Sequence, residues 1–142
     1  MIRRGSIEDV KAIMAIDALV LKTNWSERLY CDSILQDGCF CTICEEDHVI
    51  VGFNLYRNIG GDFEILQIAM DPNYQGKGFG TQLMNAFVDQ ASLDKIENCY
   101  LEVRLTNERA IKFYNKFGFE RIHVRKNYYG PEEDGLVMKR EC

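Results

Sequence analysis

The sequence has no excess of positive charge: 17 Lys plus Arg stand against 22 Asp plus Glu, a formal net charge of -5. A nucleic-acid binder neutralises phosphates with a basic stripe, so this balance argues against nucleic acid as a partner. No apolar run approaches the roughly 18 residues that a membrane-spanning helix needs. Met1-Ile2-Arg3-Arg4-Gly5-Ser6 is not followed by the apolar stretch of a secretion signal, so the expected location is the cytoplasm, with no membrane partner. Internal repeats, low-complexity tracts and linkers are also missing. A chain of 142 residues then suits one domain over 1–142, large enough to hold its core without staples.

Metal-ligand spacing is lacking as well. Cys39, Cys41 and Cys44 form a local cluster, but no second Cys or His pair follows at zinc spacing, and no metal is expected. Cys39 and Cys41 share one face of a strand, where a reduced cysteine serves as a small hydrophobe. Disulfides are not expected in a reducing compartment. The two histidines, His48 at a turn and His123 in a strand, carry no assigned role.

What is present is a regular alternation of elements. Ile2 to Arg4 reads as a short strand, and Ser6-Ile7-Glu8-Asp9 as a capping box ahead of a helix with Val10, Ile13 and Met14 on one face. A second helix opens at Ser26 and runs to about Gln36. Phe40–Cys44, Val49–Tyr56 and Phe63–Met70 read as strands whose short breaks suit antiparallel hairpins. A glycine-rich turn then leads into a helix carrying Leu83, Met84, Phe87, Val88 and Ala91, followed by a strand from Cys99 to Arg104. Strand, helix, strand of this length is a right-handed parallel crossover. Asn107 caps a last helix that stops at Gly118, and Phe119–Tyr128 and Leu136–Arg140 close the chain as strands. The fold class is α+β, with a mixed, mostly antiparallel sheet of six to seven strands, one central parallel pair, and helices on both faces.

The turn Gln75-Gly76-Lys77-Gly78-Phe79-Gly80 lies between a strand end and a helix start. The first amides of a helix have no internal partner, and the helix dipole adds about half a positive charge there. Glycines let an anion approach that backbone, so the turn reads as a pyrophosphate site, with Lys77 able to add charge. The glycines are spaced G-x-G-x-G, which fits neither the G-x-G-x-x-G of dinucleotide-binding folds nor the P-loop.

Gln75, Gly78 and Gly80 do match the Q/R-x-x-G-x-G/A signature of the GNAT acetyltransferases, and the chain resembles their RimI-type branch, the ribosomal-protein alanine N-acetyltransferases. The resemblance covers almost the whole chain. It runs through Asn24-Trp25-Ser26-Glu27, Gln67-Ile68-Ala69-Met70-Asp71-Pro72, Leu101-Glu102-Val103-Arg104, Asn107, Ala110, Tyr114, Gly118-Phe119, Arg125-Lys126-Asn127-Tyr128-Tyr129, and Glu133-Asp134 before Met138. It implies the GNAT fold and transfer of an acetyl group from acetyl-CoA, as cosubstrate, to a primary amine. The N-terminal amine of a ribosomal protein would be the usual acceptor. By the same resemblance Ile68, Ala69 and Met70 contact acetyl-CoA. Gln75, Gly76, Lys77, Gly78, Phe79, Gly80 and Thr81 form the pyrophosphate turn, and Asn107 contacts the cosubstrate. Glu102 matches the general base and Tyr114 the general acid, while Trp25, Tyr128 and Tyr129 could line the acceptor groove. Two departures stand out: Gly76 replaces a frequently basic residue, and Gly135 replaces the usual alanine in a shortened segment after Tyr129.

The residues make chemical sense in those places. Acetyl transfer needs a neutral amine, a group to take its proton, and a proton for the leaving thiolate. A peptide α-amine has a pKa of about 8 and lysine about 10.4, so a modest base suits an N-terminus better. Leu101 and Val103 share one strand face and leave Glu102 on the other. Glu64 is the rival carboxylate, but it lies upstream of Met70 by about 20 Å of strand at roughly 3.3 Å per residue. Two other activities compete: acetylation of a small amine or a lysine side chain, and non-catalytic binding of acyl-CoA as a sensor or partner subunit. Retention of both Glu102 and Tyr114 argues against the sensor. Oligomeric state is not legible.

Overall fold

The computed structural model describes residues 1–142. Seven strands form one sheet in the order β1-β2-β3-β4-β5-β7-β6. They are β1 (Ile2–Arg4), β2 (Cys39–Glu46), β3 (Val49–Ile59), β4 (Asp62–Met70), β5 (Asn98–Arg104), β6 (Glu120–Gly130) and β7 (Glu133–Glu141). Every neighbouring pair is antiparallel except β4–β5. The helices are α1 (Val10–Leu19), α2 (Glu27–Leu35), α3 (Phe79–Leu93) and α4 (Glu108–Lys116). No helix is long and apolar enough to cross a membrane.

The helix ends are those the local chemistry dictates. Ser26 Oγ accepts from Leu29 N at 3.0 Å and Asn107 Oδ1 from Ala110 N at 3.2 Å, so each opens its helix with a side-chain cap. Asp9 Oδ2 accepts from Ser6 N at 2.9 Å, and the first turn before α1 is a short 3-10 helix over Ile7–Asp9.

Two cores sit on opposite sides of the sheet. Val10, Ile13, Ile16 and Tyr30 of α1 and α2 pack on Ile43, Phe53 and Leu55. Met84, Phe87 and Ala91 of α3, with Ile111 and Tyr114 of α4, pack on Tyr56, Phe63, Leu101 and Met138. Burying a side chain such as Phe87 contributes roughly 2–3 kcal/mol. Cys41 and Cys44 are buried, and all six cysteines are free. No helix covers β6, whose residues Glu120 to Tyr128 are exposed.

Two of the irregularities in the sheet's ladder shape the region beside β5. Leu55 pairs with Gln67 and Tyr56 with Ile65, so Leu66 is an extra, bulged residue in β4. The β6–β7 hairpin is longer than the sequence pattern indicates. Both strands continue to a tight turn between Gly130 and Glu133, and Lys126–Tyr129 stand opposite Asp134 alone. The extra length is held by side-chain bonds: Asp134 Oδ1 accepts from Asn127 N at 2.9 Å, and Asn127 Oδ1 from Glu132 N at 2.8 Å.

Candidate active site

Only two residue pairs join the parallel strands, Phe63–Cys99 and Glu64–Tyr100. Past them the bulge at Leu66 bends β4, and the strands part. The gap opens a cleft of about 1520 Å³, lined by the far end of β4, the glycine turn, β5, the start of α4, the loop before α2 and the β6–β7 hairpin. Along it the main chain of Ile68, Ala69 and Met70 presents a strand edge with no neighbour, ready to bond an extended ligand.

At the wide end stands the N-terminus of α3. Its first backbone bond runs from Gln82 N to Gly78 O, so the amides of Phe79, Gly80 and Thr81 have no backbone acceptor. Gly76 and Gly78 adopt left-handed φ values of 79° and 86°, and a Cβ on either would meet nothing within 4 Å. The backbone is therefore bare where an anion would sit. Gln75 Nε2 donates to Met70 O at 3.3 Å and ties the turn to the strand. Gln75, Gly76, Gly78, Gly80 and Thr81 line the cleft, but the side chains of Lys77 and Phe79 do not. Lys77 Nζ lies over the Tyr74 ring at 5.5 Å, and Phe79 packs beside Cys44, Val51 and Leu83. The left-handed glycines flanking Lys77 turn it outward. Asn107 lines the cleft with its Oδ1 already committed to the α4 cap.

At the narrow end the titratable groups gather. Glu102 projects from β5 on the face opposite Leu101 and Val103, as strand alternation requires. Its Oε1 lies 3.5 Å from Arg125 Nη2, while its Oε2 is buried with no hydrogen-bond partner. A carboxylate oxygen without a donor in a buried setting is costly, and it calls for one. Glu64 lines the same cleft, level with Tyr100, but its carboxylate is held by Arg57 Nη2 at 3.1 Å. Arg104, two residues further along β5, pairs with Glu133 at 3.3 Å.

Tyr114 reaches the cleft from α4, packed edge-on against Phe113 and Phe119. Burial first, and the neighbouring Tyr129 second, hold its phenol far above the usual tyrosine range, so it keeps its proton. Burial and then the charge of Glu102 push Tyr129 up to about 12; burial, the charge of Glu102 and the approach of its own hydroxyl to that carboxylate raise Tyr128. The two rings meet edge to face at 5.0 Å, Tyr129 beneath Arg104 and Tyr128 beneath Arg125.

The facing wall is the loop from Val20 to Trp25. Buried Asp17 pins it by accepting from Thr23 N, Thr23 Oγ1 and the Tyr30 hydroxyl. With its amide oxygen turned to the indole, Gln67 accepts from Trp25 Nε1 at 3.1 Å, and its nitrogen donates to Leu66 O at 3.1 Å. The cleft thus brings together Trp25, Glu102, Tyr114, Tyr128 and Tyr129. Sequence reasoning assigned no role to Asp17, Gln67 or Arg125. Asp17 had a signal, being a charged residue in line with Val10 and Ile13 on the apolar stripe of α1.

The sequence pattern of the acetyltransferase (GNAT) family matches residues 8–119. An N-alpha-acetyltransferase of Saccharolobus solfataricus is 29% identical over 152 residues, spanning 98% of this chain and 91% of its own. A [ribosomal protein bS18]-alanine N-acetyltransferase of Haemophilus ducreyi is 33% identical over 98 residues, 66% of this chain and 67% of its own. The crystal structure of Ard1 from Thermoplasma volcanium superposes with a TM-score of 0.92 at 26% identity, over 99% of this chain and 96% of that one.

Proposed function

The chain belongs to the GNAT acetyltransferase family and is an acetyl-CoA-dependent N-acetyltransferase; from that premise we propose that residues 1–142 act as one domain that acetylates the N-terminal α-amine of a protein, of the ribosomal-protein alanine type, with Glu102 as general base and Tyr114 as general acid. One observation carries this: the buried, unpartnered Oε2 of Glu102 stands in the cleft beside the tyrosine pair. A donor is owed to it, and an amine, or a water bridging to one, is the donor the chemistry needs.

The residues present fit acetyl-CoA. The bare amides of Phe79, Gly80 and Thr81, with the open backbone at Gly76 and Gly78, suit a pyrophosphate, and the free edge of Ile68–Met70 suits an amide-bearing arm. Lys77 and Phe79 contribute main chain alone, and Asn107 has only its amide nitrogen left to give. When bound, acetyl-CoA supplies the acyl group as a thioester. Glu102 takes the proton that the amine sheds, directly or through water. Tyr114 holds its phenolic proton at Oη for the departing thiolate, which its burial keeps available across the neutral range.

The α-amine reading rests on base strength and on the groove. A carboxylate is a weak base, adequate for an amine with a pKa of about 8 and poorly matched to lysine at about 10.4. The Trp25 loop and the Tyr128–Tyr129 pair face each other across Glu102 as walls for a chain end. Mass spectrometry of peptides incubated with acetyl-CoA tests it. The expected product carries one acetyl group on the α-amine of an Ala-initiated peptide. Acetate on a polyamine or lysine, with N-termini untouched, overturns the acceptor assignment.

A further inference from the structure

Gly135 lies on β7 between Arg104 of β5 and Arg125 of β6, on the same face as Glu102. Its φ is not in the left-handed region, so backbone conformation does not demand glycine there. Space does. A Cβ at 135 would stand 3.1 Å from Tyr128 Cδ2, 3.2 Å from Tyr128 Cβ and 3.2 Å from Tyr129 Cε2. Both rings lie against this bare stretch of sheet, and both line the cleft.

Arg104 and Arg125 lie over the ring faces, Tyr128 keeps an exposed side, and the Asp134–Asn127–Glu132 bonds fix the bulge that carries both. A methyl group rising from β7 would therefore lift both rings off the sheet by a few tenths of an ångström, into the groove. Resting on the reading that an amine approaches Glu102 through this groove, we infer that Gly135 is a specificity-determining position: by leaving the tyrosines seated against β7, it gives the groove room for acceptors whose first residue is larger than alanine.

Gly135 touches neither reacting atom and acts through Tyr128 and Tyr129. Its signature is a size-dependent change, which a merely structural role would not produce. One methyl group in a closely fitted apolar site discriminates by about tenfold or more.

The experiment compares wild type with Gly135→Ala on peptides beginning Gly, Ala, Ser, Leu and Phe, following thiol release from acetyl-CoA. Wild type is expected to accept the Leu and Phe peptides. Gly135→Ala is expected to lower kcat/KM for them about tenfold, mostly through KM, while Gly and Ala peptides stay within twofold. Equal loss across the series, or no loss, overturns the inference. Should wild type acetylate small amines and no peptide, the N-terminal reading falls instead. The same comparison is then made with methylamine, isobutylamine and phenethylamine, where a change independent of size overturns the role of Gly135.

Discussion

The two ends of the cleft are built in different ways. The wide end is made of main chain: three unpaired amides at the start of α3, two left-handed glycines and an open strand edge. The narrow end is made of side chains held by other side chains, Trp25 by Gln67, Glu102 by Arg125, and the Val20–Trp25 loop by Asp17. A main-chain site depends on local conformation, so a few contiguous residues specify it. A side-chain site depends on partners that the folded chain must bring together, as with Trp25 and Gln67 or Glu102 and Arg125. One end is suited to an invariant ligand and the other to a variable one.

The largest test of this division is Glu102→Gln. The amide keeps the shape of the side chain but cannot take a proton. Turnover is expected to fall by about 10³-fold, within the range for a lost general base, while calorimetry shows coenzyme A affinity within twofold of wild type. Equal turnover across pH 6 to 9 would remove Glu102 from the mechanism. A parallel loss of coenzyme A affinity would show that the two ends are not separate.

Gly78→Ala probes the wide end. At φ 86° a Cβ is strained by about 1–2 kcal/mol even though nothing crowds it, and the turn would relax toward another conformation. Coenzyme A affinity is expected to drop about tenfold, with the acceptor KM at saturating acetyl-CoA little changed. An unchanged affinity would mean that the turn does not depend on its left-handed residues.

How far each end is legible in the sequence depends on its construction. Ser26, Asn107 and Gly118 mark their helix ends as local rules require, and the parallel β4–β5 pair is implied by the length of the crossover. The glycine turn is visible because its chemistry is contiguous. The bulge at Leu66 is not, because burial along β4 alternates without a break from Phe63 to Ala69. Phe63 and Ile65 face α3, while Ala69 faces α1, so the strand changes sides beneath an unbroken pattern. That change turns Gln67 toward Trp25. Arg125 and Glu102 lie 23 positions apart on strands that are not even neighbours, and no local pattern pairs them. The outward turn of Lys77 is likewise hidden, because a positive charge in an anion-binding turn reads as a ligand until the backbone on both sides is known.

The smallest expected effect on activity, and the one that most sharpens the comparison, comes from a residue that lies outside the cleft. Asp17 accepts three hydrogen bonds in a buried setting, two from Thr23 and one from Tyr30. Asp17→Asn keeps the volume and removes the charge and half of the accepting capacity, leaving Thr23 Oγ1 and the Tyr30 hydroxyl to compete for other acceptors. Hydrogen bonds to a charged group are worth about 2 kcal/mol, and a loss of that order is expected in chemical denaturation. Thr23 would then release the loop that carries Trp25, one wall of the narrow end. The acceptor KM is expected to rise about threefold, with coenzyme A affinity unchanged because no atom of the wide end moves. Loss of stability with both constants unaltered would show that Gln67 alone positions Trp25, and that the loop is fixed from the sheet side and not from the helix beneath it.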